Sequence, residues 1–471
     1  MISLPALLLT GLALGGDDRA PSPAFAFPVE RIDLDNGLRV LLQEDHSVPL
    51  ITLHTFFRAG SRNESTGGTG IAHLIEHMMF NGAAKYGPKE FDRLIEAHGG
   101  YSNAYTDLDL TAYHETFFAD GLDDVLDLEL DRLSSLELDT PSFASETAVV
   151  REERRISSEE DVMGALAELL WACAFTAHSY HWPVIGWMSD LENVKPPQVQ
   201  AFFDRQYIAA NAIVVVAGDF TAAAVKPKII ASLGKLARRP LPDQPTTVEP
   251  PQKGERRCIL RDTAELPAVE LGWHVPAINE ERNAALLVLS RLLAGSRTAR
   301  LDRELVYGEE LLQEASVEYT PTIDPGLFTI VARIAPGTSM AQGEQRVRQA
   351  IARFASDAPD EIEVERARNL VRMDTLNELA TIEGRADVLG TYQLLFGDYQ
   401  AVFRIEQHLA AVTGETLRAI VAEHCRDDNL TVASLIPPGW QEPEPQEGDA
   451  ASAHKQDHPD DDDGGGEEGG Q

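Results

Sequence analysis

The chain has 471 residues, 43% of them hydrophobic, with a formal net charge of −36 and a sequence pI near 4.6. That length exceeds one ordinary core and points to two or three domains. The acidity excludes a nucleic-acid binder, which needs a clustered positive surface to displace counterions.

Ile2 to Gly15 (ISLPALLLTGLALG) is apolar for about the length of a signal-peptide core and too short to span a bilayer as a helix. It has no basic n-region, but small residues around Ala20 to Ala26 offer a cleavage site, and Asp17-Asp18 argue against a mitochondrial presequence. Residues 1–26 are therefore expected to be a signal peptide or disordered leader. The chain is expected to be periplasmic or otherwise exported, with no stable membrane span after signal removal; a cytoplasmic location is the alternative.

Ordered structure is expected from Phe27, where VERIDLDNGLRVLLQED reads as strand, Asn36-Gly37 turn, strand, with a further strand at Leu50 to Arg58. Helical periodicity follows at Ile71 to Phe80 and Pro88 to Ala97. A polar strand-like stretch runs from Ser102 to Phe118, then a helix from Gly121 to Leu136, and a long helix from Pro141 into the 160s. Ala212 to Gly218 (AIVVVAG) is a short apolar strand. The proline-bearing stretch from Pro240 to Pro251 reads as a connector. The order then repeats: strands at Arg257 to Leu260 and Val269 to Trp273, a helix at Glu280 to Leu293, a strand near Phe328 to Ile334, and helices from Met340 and Asp360. The expected fold class is α+β, with two similar domains at 27–236 and 256–437 joined by a linker at 237–255. Residues 438–471 are acidic and expected to be disordered. Cys173, Cys258 and Cys425 lie far apart without CxxC spacing, so they read as small buried apolar residues.

The segment His73-Leu-Ile-Glu76-His77 carries the chemistry. On a helix, residues four apart leave the same face one turn apart, which suits two ligands of a tetrahedral zinc site. Glu76 shares that face, where a carboxylate can act as catalytic base toward a water acidified by the metal. This H-x-x-E-H order is the inverzincin signature. A catalytic zinc needs a third protein ligand and an open position. The acidic helix from Glu146 to Glu153 is the source: Glu146 and Glu153, seven residues apart, share a face, while Glu152 is rotated away. Glu153 is the expected ligand and Glu146 its supporting partner. His98, His114, His178 and His181 lack metal spacing of this strength and are expected to be structural.

With these residues in place, together with HLIEHMMFNG at 73 to 82, Gly99-Gly100 before Asn103-Ala104-Tyr105-Thr106, and Gln206-Tyr207 through Gly218-Asp219, the sequence resembles the pitrilysin family of zinc metallopeptidases. Within that family it resembles the two-domain subfamily that includes mitochondrial processing peptidase. Glu153 follows His77 by 76 residues, within the separation that family shows between its second histidine and its third ligand. The resemblance implies one Zn2+ per chain and a metalloendopeptidase acting on peptides or extended segments. It also implies two homologous domains forming half of a clamshell, and an edge strand at Asn103 and Ala104 that pairs with substrate.

One departure qualifies the resemblance. Active members carry an Arg and a Tyr seven apart in the second domain; aligned on Arg300-Leu301, this chain has Val306 and Gln313 there. The resemblance therefore implies a heterodimer with a homologous partner that supplies Arg and Tyr. A non-catalytic core or assembly subunit of the same family is the alternative.

Overall fold

A computed structural model of the chain describes residues 26–138, 140–354 and 356–443. The expected leader, save Ala26, and the expected acidic tail from residue 444 onward lie outside the described residues. Two sheets organise the chain. The first contains β1 (Glu30–Asp33), β2 (Arg39–Glu44), β3 (Leu50–Phe57), β4 (Tyr101–Thr106), β5 (Thr111–Phe118) and β6 (Ala212–Gly218), in the spatial order β1-β2-β6-β3-β5-β4. The second contains β7 (Arg256–Arg261), β8 (Ala268–Val275), β9 (Leu312–Tyr319), β10 (Gly326–Ile334) and β11 (Leu430–Ile436), in the order β7-β11-β8-β10-β9. In each sheet one pair is parallel, β2 with β6 and β7 with β11, and the rest are antiparallel. Setting β2 on β7 makes the two orders coincide, with β4 and β9 as equivalent edge strands. The chain is thus a repeated mixed-sheet unit with helices over the sheets.

Local chemistry explains the framework. All seven residues of β6 are buried, the pattern of a strand covered on both faces. The β1–β2 reversal uses Gly37 at φ +94, and the Asn36 amide donates to the carbonyls of Leu233 (2.9 Å) and Leu236 (3.1 Å), so the start of the first half is tied to its end.

Five helices of the first half matter for the site: α1 (Ile71–Met78), α2 (Glu90–Ala97), α3 (Leu122–Ser135), α4 (Thr140–Arg154) and α5 (Val162–Ala174). The structure differs from the sequence expectation at three places. The stretch from Ser102 to Phe118 is two strands, β4 and β5, reversed where Asp107 N donates to Leu110 O at 2.8 Å. The long helix expected into the 160s is α-helical only to Arg154, widens to a π-helix over Arg155–Glu160, and gives way to α5, capped by Asp161 accepting from Met163 N at 3.1 Å. The strands β9 and β11 had no counterpart in the periodicity. LQEASVEY in β9 is too polar to stand out as a strand, because one of its faces is not covered.

The halves exchange cover. Leu166, Leu170 and Ala174 of α5 pack against Ala268, Ala433 and Leu435 of the second sheet. In return, the helix Ile382–Leu395 lies on the first sheet, where Gly390 meets the Phe56 ring so closely that an added Cβ would sit 2.0 Å from it. One apolar core therefore runs from Phe56 and Val215 through Leu389 to Leu271 and Trp273. Arg62 reinforces the joint through Asp324 at 2.6 Å, as does the Arg385–Asp45 pair.

Candidate metal centre

In α1, Ile71, Leu74, Ile75 and Met78 recur at helical spacing and are buried, which forces His73, Glu76 and His77 onto the opposite, half-buried face. The helix start is held in place. Gly70 sits at φ +82, and a Cβ there would lie 2.4 Å from the Ile185 carbonyl, so only glycine fits. The Gly70 and Ala72 amides donate to the two oxygens of Glu64 at 2.8 and 2.7 Å, satisfying groups that a helix N-terminus leaves without intrahelical acceptors. Burial pushes the Glu64 carboxyl up to about 8. Thr69 donates through its amide (3.1 Å) and hydroxyl (2.8 Å) to Asp190, fixing the preceding loop.

Helix α4 brings the carboxylates. Phe143 and Val150 are buried, and Glu146 and Glu153 face α1. Glu153 Oε2 lies 3.2 Å from His77 Nε2 and 3.8 Å from His73 Nε2, while Glu146 Oε2 lies 3.4 Å from His77 Nδ1. The two imidazoles are edge to face, with centroids 4.8 Å apart. His73, His77 and Glu153 each offer a ligand atom, all within 4.8 Å of one another, and no other such group of His, Cys, Asp or Glu occurs among the described residues. Burial, with a smaller contribution from His77, pushes the His73 imidazole down to about 4, leaving it neutral at neutral pH. Glu152, by contrast, is exposed and pairs with Arg155. The next residue, Arg154, grips Glu168 of α5 with two bonds of 3.0 and 2.8 Å, anchoring the end of α4 beside the π-helical turn.

Glu76 receives the Thr106 hydroxyl at 2.5 Å. Burial raises its pKa and the Thr106 bond opposes the rise. Sequence reasoning missed both Thr106 and Glu64. Strand alternation was the available signal for Thr106, since it shares a face with Ala104, which packs against the core behind α1. Nothing in local spacing points to Glu64.

Asn103 and Ala104 lie in β4, the edge strand, paired in register with His114 and Tyr113 of β5. The Asn103 side chain accepts from the Ala104 amide at 2.9 Å. The set-aside histidines have other engagements: His98 with Asp124 (2.9 Å), His178 with Asp324 (3.1 Å), and His181 with the His178 carbonyl (3.2 Å). His114 lies 3.1 Å from Glu383 of the second half.

In the second half, Arg300 is buried and committed to Glu363 (2.7 Å) and the Asp357 carbonyl (3.0 Å). Val306 ends the π-helical segment Asp302–Val306, and Gln313 is exposed on β9.

Two family models match the chain: "Insulinase (Peptidase family M16)" over residues 39–186 and "Peptidase M16 inactive domain" over residues 193–371. The chain belongs to peptidase family M16. The M16 membership agrees with the pitrilysin resemblance of its zinc motif, and His73, His77 and Glu153 fall within the first matched region. Among M16 relatives, the chain is 29% identical over 415 residues to a Helicobacter pylori protein named zinc protease PqqE, covering 87% of this chain and 93% of that one. It is 23% identical over 434 residues to the mitochondrial-processing peptidase subunit beta of Blastocladiella emersonii, covering 90% and 92%. The crystal structure of a protease from Helicobacter pylori superposes with a TM-score of 0.83 at 28% identity, covering 87% of this chain and 99% of that one. The architecture of two helix-covered sheets is therefore the M16 fold.

Proposed function

We propose that this M16 chain is a zinc-dependent endopeptidase subunit that hydrolyses peptides or extended polypeptide segments, with one Zn2+ held by His73, His77 and Glu153. The convergence of two imidazole nitrogens and a carboxylate oxygen within 4.8 Å carries the reading. This donor set fits a catalytic zinc, which takes three protein ligands and keeps one position open. Glu153 is 42% exposed, so the open side faces solvent.

Zinc bound there would polarise the scissile carbonyl and lower the pKa of the attacking water. Glu76 accepts the water's proton and later delivers it to the leaving amine, with Thr106 holding its carboxylate in place. Glu146 holds the Nδ1 side of His77, which fixes the ring so that Nε2 would be the atom to hold zinc. The outer edge of β4, at Asn103 and Ala104, offers backbone groups to an extended peptide, which adds to the sheet as a further strand.

The partner in this reading is a homologous chain bearing Arg and Tyr. Val306 and Gln313 support it, as does the burial of Arg300 against Glu363, which leaves that guanidinium no freedom to reach a substrate. A second reading, a non-catalytic core or assembly subunit, draws on the same two positions. The apolar run Ile2 to Gly15 supports export. No helix among the described residues is long and apolar enough to cross a membrane.

The test is reconstitution. The purified chain alone should cleave unfolded peptides poorly and gain activity when the Arg/Tyr-bearing homologue is added. Glu76→Gln in that pair should keep zinc and lose hydrolysis. Full activity of this chain as a homodimer would overturn the heterodimer, and unchanged turnover by Glu76→Gln would remove Glu76 as the base.

A further inference from the structure

Helix α5 of the first half and strand β7 of the second meet at the joint between the halves, and each brings a thiol to it. Cys258 Sγ lies 3.8 Å from the Leu169 carbonyl and 3.6 Å from the Val432 carbonyl. Leu169 is one helical turn before Cys173, and a helical side chain leans back over the turn that precedes it. The Cys258 sulfur therefore lies against the turn of α5 over which the Cys173 side chain leans, and each thiol shifts the acidity of the other. Two residues earlier on β7, Arg256 donates to the carbonyls of Cys173 (3.3 Å) and Ala174, which clamps strand to helix at this level. The sequence expectation of small buried apolar cysteines is thus corrected: all three are only partly buried, and Cys173 and Cys258 sit on packed elements, α5 and β7, far apart in the chain. Cys425 stands apart, at the end of the helix Gly414–His424.

We infer that Cys173 and Cys258 form a reversible disulfide that staples α5 to β7 across the two halves when the protein meets a disulfide oxidant. The Cys173 thiolate attacks one sulfur of the oxidant's disulfide, and the other sulfur leaves as a thiolate that takes up a proton. Deprotonated Cys258 then attacks the Cys173 sulfur of the mixed disulfide and releases the oxidant's second thiol. Two protein thiols are oxidised and one external disulfide is reduced to two thiols. The polarity of the pair favours this order. The neighbouring Cys258, with the Arg256 charge, lowers the Cys173 thiol to about 7, where a thiol attacks efficiently at neutral pH, and the neighbouring Cys173, with burial, raises that of Cys258.

The bond would act on the joint itself. Helix α5 covers the second sheet and follows directly from the π-helical turn behind Glu153, so the staple fixes one half of the chain against the other close to the helix that carries the carboxylates.

The experiment equilibrates the full-length protein with oxidised glutathione, blocks remaining thiols with a maleimide under denaturing conditions, and reads the intact mass and the cross-linked peptides. The expected result is loss of two of the three thiols, a mass lower by two hydrogens before blocking, a peptide pair joining Cys173 to Cys258, and reversal by dithiothreitol. Cys258→Ala should instead accumulate one glutathione on Cys173. Three reactive thiols after equilibration, stable glutathione adducts on the parent protein, or a bridge involving Cys425 would each overturn the inference.

Discussion

Thr106 donates its hydroxyl to the Glu76 carboxylate at 2.5 Å, joining the open edge of the first sheet to the helix that bears both histidines. The strand proposed to pair with substrate and the proposed base are thus set against each other by one bond. A hydrogen bond to a charged group contributes ~1.5–3 kcal/mol. Thr106→Val should lower kcat by about tenfold or more on that basis, with zinc content unchanged, and Thr106→Ser should restore most of the rate. Equal kcat in Thr106→Val and the parent would show that the bond does not position the base.

The two neighbouring carboxylates Glu152 and Glu153 should separate cleanly. Glu153 faces both histidines, whereas Glu152 pairs with Arg155 in solvent. Glu153→Gln should lose zinc on dialysis and Glu152→Gln should keep it, as read by atomic absorption. Glu146→Gln should fall between them, weakening zinc roughly 10- to 100-fold, because it touches His77 only at Nδ1, opposite the nitrogen that faces Glu153. The reverse order of Glu152 and Glu153 would move the ligand by one residue.

Glu270 should make stability depend on pH. It is 1% exposed, one of its oxygens has no hydrogen-bond partner, and it lines a cavity of about 330 Å³ together with Asp161, Glu314, Glu318 and Arg333. Burial, then repulsion from Glu318, raises its pKa from 4.5 to about 8. A raised folded-state pKa means that its protonated form favours folding below the unfolded value near 4.5, and that this contribution is lost as pH rises through about 8. Glu270→Gln should gain on the order of a few kcal/mol at pH 8 and nothing near pH 4. Parallel denaturation midpoints for the two proteins across that range would contradict the prediction.

Gly390 lies where the two halves approach closely. An alanine there would place a Cβ 2.0 Å from the Phe56 ring, and the helix Ile382–Leu395 would have to lift off the first sheet. Gly390→Ala should therefore destabilise the protein by roughly 1–3 kcal/mol or more, measured by denaturant unfolding. It should also speed amide exchange in β3 and β6 beneath that helix. No change in either measurement would mean that the halves are not packed through this contact.

Much of the candidate site was legible because its parts are local. The spacing of His73, Glu76 and His77 within one helix, and of Glu146 and Glu153 within another, follows from 3.6 residues per turn and survives any tertiary arrangement. Thr106 was not legible, because its role depends on β4 lying beside α1, a contact between elements with no shared periodicity. Glu64 was hidden for a similar reason: it caps a helix from outside, through a loop. Strand β9 went unread because its polar face lies open, and the two-strand nature of Ser102 to Phe118 because polar alternation masks the reversal.

The sequence by itself determined the H-x-x-E-H helix and the acidic helix that answers it, since each rests on spacing along a single segment, and the order of elements along the chain gave the repeated α+β plan. Only the tertiary structure decided that α4 faces α1, that Thr106 meets Glu76, that the two halves cover each other's sheets, and that the helix bearing Cys173 packs on the strand bearing Cys258. Each of these is a meeting of surfaces distant in the chain, selected by burial of apolar faces, and hydrophobic burial carries no sequence address of its partner.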